Sequence, residues 1–211
     1  MPPRRLGGGW LFSPMTTGDP SARASLIEAA AELLERSGER GVVRLRDDAR
    51  SMEPTLRPGQ TVAVEFAPRS LRVGDLLLFR QADYLVVHRL LGRSAFPDGR
   101  AGLRTRGDAR PGLDPRLAPA DVVGRVVAAQ RPDGAWIGFT GGRARAWARA
   151  AAWHDLAWAA AGVLVRPLGA RAGRAVAALD RSLLQAAHRL LFAACHRAVA
   201  PPVGHPGSGA V

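Results

Sequence analysis

The chain contains no lysine: all 30 of its basic residues are arginine. That absence removes one kind of chemistry. A serine–lysine dyad, in which a neutral amine takes the proton of a hydroxyl nucleophile, cannot be built, and arginine does not give up its proton. Cysteine is nearly missing too. Cys195 stands alone, so no internal disulfide forms and no cysteine cluster exists to hold a metal. Its neighbours Leu190, Leu191, Phe192, Ala193 and Ala194 mark it as a small buried apolar residue. The five histidines (88, 154, 188, 196 and 205) show no metal-ligand pairing, so neither a zinc site nor any other cofactor is expected. Long apolar runs are also lacking. Within 141–197 the longest uncharged run, 156–165, is ten residues, where a bilayer span needs about 20. Near the N-terminus, 6–12 is too short and too glycine-rich for a span or a secretory apolar region. No signal peptide and no transmembrane span are expected, which points to a cytoplasmic or peripherally membrane-associated protein.

The 211 residues divide by texture. Residues 1–18 read as a flexible leader. Residues 19–40 read as an N-terminal helix: Asp19 caps it, Pro20 opens its first turn, Leu26, Ile27, Ala30, Leu33 and Leu34 share one face, and Gly38 ends it. From 41 to 140 short β-like runs alternate with turns, at 42–46, 61–66, 75–80, 83–91, 101–105, 122–130 and 135–139. Pro97-Asp98-Gly99 and Pro132-Asp133-Gly134 mark tight turns, and 107–119 reads as an irregular, proline-rich loop. Residues 141–200 form an Arg/Trp/Ala-rich helical extension, and 201–211 a disordered tail. The fold class expected is mainly β (α+β), antiparallel, with helices at both ends.

Charge is uneven. The net charge is +12, and 141–200 holds nine arginines against Asp155 and Asp180. Together with Trp147, Trp153 and Trp158, the arginines at 143, 145 and 149 suit an anionic membrane surface touched through residues 142–200. The alternative is that these tryptophans pack the helices onto the β core. No specific nucleic-acid partner is expected.

The chemistry-bearing residues cluster in the β region. Ser51 follows a strand-like run and sits where Pro54 and then Arg57-Pro58-Gly59 end regular structure. His88 lies inside Leu85-Val86-Val87-His88-Arg89, and Asp108 and Asp114 lie on the loop after Thr105-Arg106-Gly107. Serine, histidine and aspartate are the parts of an activated hydroxyl: attacker, proton acceptor, and the group that orients and supports the imidazolium. Without lysine, the base for Ser51 must be His88. Taken singly, Ser51 also reads as a turn-stabilising hydroxyl, His88 as a satisfied core histidine, and Asp114 as an Asp-Pro turn former. Asp108 is the expected orienting carboxylate, because Gly107 before it permits close backbone approach; Asp114 is the alternative. Asp75 and Arg89 read as scaffold.

Five blocks in order, Ser51-Met52-Glu53-Pro54-Thr55-Leu56, Val73 to Phe79, Val87 to Leu91, Thr105 to Asp108, and Val122 to Val126, resemble the type I signal peptidases. The histidine in the third block resembles the endoplasmic-reticulum and archaeal branch of that family, in which both matching aspartates are active-site residues. The resemblance spans roughly residues 42–130. It implies a core of bent antiparallel sheets and a serine endopeptidase that cleaves a precursor or leader peptide bound in extended form. Arg50, Met52, Val86 and Val87 are the implied substrate-binding residues, and small residues such as alanine are implied before the scissile bond. The family's small Ser or Gly two residues before the nucleophile is Ala49 here, so an oxyanion would rely on the Ser51 N–H. Two other readings keep the same core: a repressor-type self-cleaving regulator, and a catalytically silent peptide-binding module.

Overall fold

The computed structural model describes residues 40–81, 84–110, 112–165, 195 and 198–200. The expected leader, N-terminal helix, helices after 165 and tail lie outside the described residues.

The described chain is mostly antiparallel β-sheet with one α-helix. Its strands are β1 (Arg40–Arg44), β2 (Thr61–Phe66), β3 (Leu76–Gln81), β4 (Tyr84–Ala95), β5 (Ala101–Arg106), β6 (Val122–Gln130), β7 (Trp136–Gly138) and β8 (Ala198–Val199), with helix α1 (Gly142–Val165) between β7 and β8. A short 3-10 turn at Pro119–Asp121 leads into β6. All seven β runs read from the sequence are strands. β8 is the exception in the other direction, because Ala198 and Val199 pair as a strand with β7 inside the stretch expected to be helical.

The strands pair in the order β1-β2-β6-β3-β4-β5. β6 is the hub: β2 runs along one edge, while the other is shared by β3 at Val122–Val126 and β7 at Ala128–Gln130. Register shifts at Ala63/Val64, Leu78/Phe79 and Leu90/Gly92 add single residues that bend and twist the sheet. Bending lets the sheet bury both faces. In β3, Leu76 and Leu78 enter one apolar cluster with Val62, Val64, Phe66 and Val126, and Leu77 and Phe79 enter a second with Leu90, Leu103 and Leu117. A strand buried on both sides needs an unbroken apolar run, which is why β3 reads Leu-Leu-Leu-Phe rather than alternating.

Two features position the site. The turn at 51–56 is pinned to the first cluster by Met52 and Leu56, with the Leu56 N–H donating to the Met52 carbonyl at 2.9 Å. Helix α1 packs across β4 through a stripe of alanines, of which Ala144 and Ala152 are buried. Gly74, at φ +94°, lies so close to the Ala148 backbone that a Cβ would come within 2.6 Å of it. No helix among the described residues is long and apolar enough to cross a membrane.

Candidate active site

β4 outruns its neighbour, and this places His88. Along β3 it pairs from Gln81↔Tyr84 to Leu76↔Arg89, but β5 joins its other edge only at Arg89↔Arg106. His88 is therefore the last residue before that edge opens. Its side chain is 4% exposed, lies edge-on to Phe79 (ring centroids 5.9 Å apart), and places Nδ1 2.7 Å from Asp114 Oδ2. Asp114 is held in turn by the Thr105 hydroxyl, which donates to the same oxygen at 2.8 Å, and by its own N–H, which donates to the Thr105 carbonyl at 3.0 Å.

Burial pushes the Asp114 carboxyl up. The His88 hydrogen bond and charge, the Thr105 hydroxyl and the Arg110 charge outweigh it and hold the group below the usual carboxylate value. An ionised carboxylate only accepts, so Nδ1 carries the hydrogen, and in the uncharged form of the ring the lone pair lies on Nε2. That nitrogen is buried and has no hydrogen-bond partner among the described residues. A buried polar atom left without a partner costs about 1–3 kcal/mol, so its persistence calls for an explanation.

The depressed Asp114 carboxyl has a stability consequence with a definite sign. A carboxyl whose folded value lies below its unfolded one, about 3.9, stabilises the fold fully above that value. The contribution fades as pH falls through the folded value. Thermal unfolding followed below about pH 4 should therefore show a steeper acid loss for the wild type than for Asp114→Asn. Parallel acid limbs would remove the ionised carboxylate from the site.

Asp108, the expected orienting group, does something else. Arg89 donates to both of its oxygens, Nε to Oδ1 at 2.9 Å and Nη2 to Oδ2 at 2.6 Å, and the Thr55 hydroxyl also donates to Oδ2. Arg89 further donates to the Gly74 carbonyl at 3.1 Å and to the Thr55 oxygen at 3.1 Å. With Arg89 only 2% exposed, the planar fork of a buried guanidinium claims the carboxylate. The carboxylate that meets the His88 ring is that of Asp114. Asp108, Arg89 and Thr55 tie together the loop after β5, the middle of β4 and the Ser51 turn.

Ser51 reaches the same point from the other side. Its carbonyl accepts from the Ala109 N–H at 2.9 Å. A Cβ added to Gly107 would lie 2.6 Å from that carbonyl oxygen and 2.9 Å from His88 Nε2, so the glycine is the gap across which serine backbone and histidine face each other. No described backbone carbonyl takes the Ser51 N–H. Gly107→Ala should displace one of these walls. The expected result is a loss of activity of at least about tenfold from misplacement alone, with the unfolding temperature reporting whether the fold has moved as well.

Of the expected substrate-binding residues, Met52 and Val87 are buried in the first apolar cluster, at 3% and 7% exposed, while Val86 is half-buried against the second. Arg50 is exposed, 3.6 Å from Glu53. What β4 does offer is backbone. Leu90 N donates to the Asp75 carbonyl on the β3 side, so by alternation Leu85 and Val87 direct their N–H and C=O toward the edge that β5 leaves open.

Thr55 and Thr105, which sequence reasoning passed over, lie within the Ser51 and Asp108 blocks; only their bonds to carboxylates single them out. Among the described residues no group of three His, Cys, Asp or Glu is placed to hold a metal ion. No family model, curated protein or solved structure matches the chain.

Proposed function

We propose that this chain is a serine endopeptidase with a signal-peptidase-like core, cleaving a precursor or leader peptide by a Ser51–His88–Asp114 mechanism. The observation behind this reading is His88 itself: one ring nitrogen is bonded to a carboxylate, and the other is buried, unpartnered among the described residues, and borders the same Gly107 gap as the Ser51 carbonyl. A structural histidine would satisfy both nitrogens. A general base keeps one open, and its bond to the nucleophile tightens only when substrate is present.

The peptide would add as an extended strand to the open edge at Leu85 and Val87, with main-chain hydrogen bonds supplying affinity. Ser51 Oγ then attacks the scissile carbonyl carbon as its proton passes to His88 Nε2, and Asp114 stabilises the imidazolium through Nδ1. The tetrahedral oxyanion accepts from the Ser51 N–H. Collapse breaks the C–N bond, with the imidazolium proton leaving on the amine, and water resolves the acyl-enzyme by the same steps in reverse.

The test is to express the chain beside its genomic neighbours and identify new protein N-termini by mass spectrometry. New termini after small residues such as alanine, present with wild type and absent with Ser51→Ala, are the expected result. Identical termini in both cultures would leave a peptide-binding module on this core.

A further inference from the structure

A cleft of about 370 Å³ lies between α1 and the sheet, away from Ser51 and His88. Its walls include Arg72 from the β2–β3 connection, Arg145 and Arg149 from α1, and the apolar Val73, Val126 and Phe139. Thr55 and Arg89 also line it, which makes the buried Arg89–Asp108 pair its common boundary with the candidate active site. The charges along its exposed rim do not cancel. Arg89 is committed to Asp108, and the one lining carboxylate, Asp75, is held by Arg125 at 3.3 Å and by the Arg72 N–H at 2.8 Å. Arg72, Arg145 and Arg149 form no ion pair among the described residues. Three uncompensated guanidinium groups around one cavity form a site for an anion, and their planar forks match the oxygens of a phosphate.

The helix extends the same pattern outward. Arg145, Arg149, Trp153 and Leu156 are spaced four, four and three residues apart and so share one face of α1. Trp153 is 69% exposed and Leu156 is 41% exposed, a large apolar pair on the surface directly beyond the arginines. Arginine at a phosphate layer with tryptophan and leucine beside it is the chemistry of an interfacial helix lying on a membrane.

We infer that the cleft binds a phosphate group, and that α1 presents it to the headgroup layer of an anionic membrane, with Arg72, Arg145 and Arg149 on the phosphate and Trp153 and Leu156 among the glycerol and upper acyl chains. Phosphate binding stands independently of peptide hydrolysis. It would also hold the Ser51 turn close to the membrane surface, since Thr55 belongs to both places.

The full chain is tested by co-sedimentation with equimolar phosphatidylglycerol/phosphatidylcholine vesicles against pure phosphatidylcholine. Titration with inorganic phosphate, followed by thermal shift, separates a free anion from a lipid headgroup. Wild type should bind the anionic vesicles only. Arg145→Gln with Arg149→Gln should lower that partitioning by about 30-fold, while an equal charge change elsewhere, Arg93→Gln with Arg131→Gln, should have much less effect. Trp153→Ala should weaken vesicle binding and leave any phosphate shift intact. A phosphate shift lost in the Arg145/Arg149 variant, without vesicle binding, would assign the site to a soluble phosphate. No binding to either probe, or equal losses in the two double variants, overturns the inference.

Discussion

Ser51→Ala and His88→Ala are each expected to lower peptide hydrolysis by on the order of 10⁴- to 10⁶-fold, and the double variant is expected to be no worse than either single one. The two groups act as one unit. Without Nε2 the hydroxyl keeps its proton, and without the hydroxyl the base has nothing to activate, so the second loss adds nothing. Asp114→Asn should cost on the order of 10⁴-fold, because an amide opposite Nδ1 favours the wrong tautomer and cannot stabilise the imidazolium. His88→Ala leaves a hollow beside Phe79, so its unfolding temperature must be measured with the rate. Ser51→Ala removes only a hydroxyl from a partly exposed turn and serves as the clean comparison. Turnover by purified Ser51→Ala within tenfold of wild type, roughly the cost of a bystander hydroxyl, would end the serine mechanism.

The strands were legible because β-branched and leucine runs alternate with Gly/Pro turns at most boundaries, and Pro97-Asp98-Gly99 and Pro132-Asp133-Gly134 close hairpins where the sequence places them. The pairing order was not legible. Nothing local tells β6 to sit between β2 and β3, since that choice rests on burying three apolar clusters at once. Ser51 and His88 stood out through the ordered blocks that hold them, since taken singly each also reads as a structural residue. The division of labour between the aspartates did not, because it depends on which cation or ring each carboxylate meets after folding. A glycine beside Asp108 is a local cue for close approach, and it is correct about Gly107. Yet the close approach serves the Ser51 carbonyl and the His88 ring, while the Asp108 side chain turns to Arg89. Similarly, Met52 and Val87 lie next to the reacting residues in sequence, but a turn and a strand alternate neighbours to opposite sides, and both end in the core.

Asp108→Ala is expected to be the most destabilising single change in this region. It leaves the Arg89 guanidinium, only 2% exposed, without its carboxylate. Removing one partner of a buried pair costs about 3–5 kcal/mol, a large share of the roughly 5–15 kcal/mol that holds a domain together. For a chain of this size that corresponds to a fall of about 6–20 °C in unfolding temperature. The charge, rather than the lost hydrogen bonds, supplies most of the penalty. Adding Arg89→Met to Asp108→Ala should therefore recover much of the loss, although the Gly74 carbonyl and the Thr55 hydroxyl still lose a donor. Asp114→Asn should give up only the smaller stabilisation that its lowered carboxyl supplies at neutral pH, so it should melt well above Asp108→Ala while its rate falls far more than its stability. The contrast separates a carboxylate that holds the Ser51 turn to β4 from one that supports the base. If Asp108→Ala melts with the wild type yet hydrolyses nothing, Asp108 takes part in the reaction itself, and the role assigned to its ion pair is wrong.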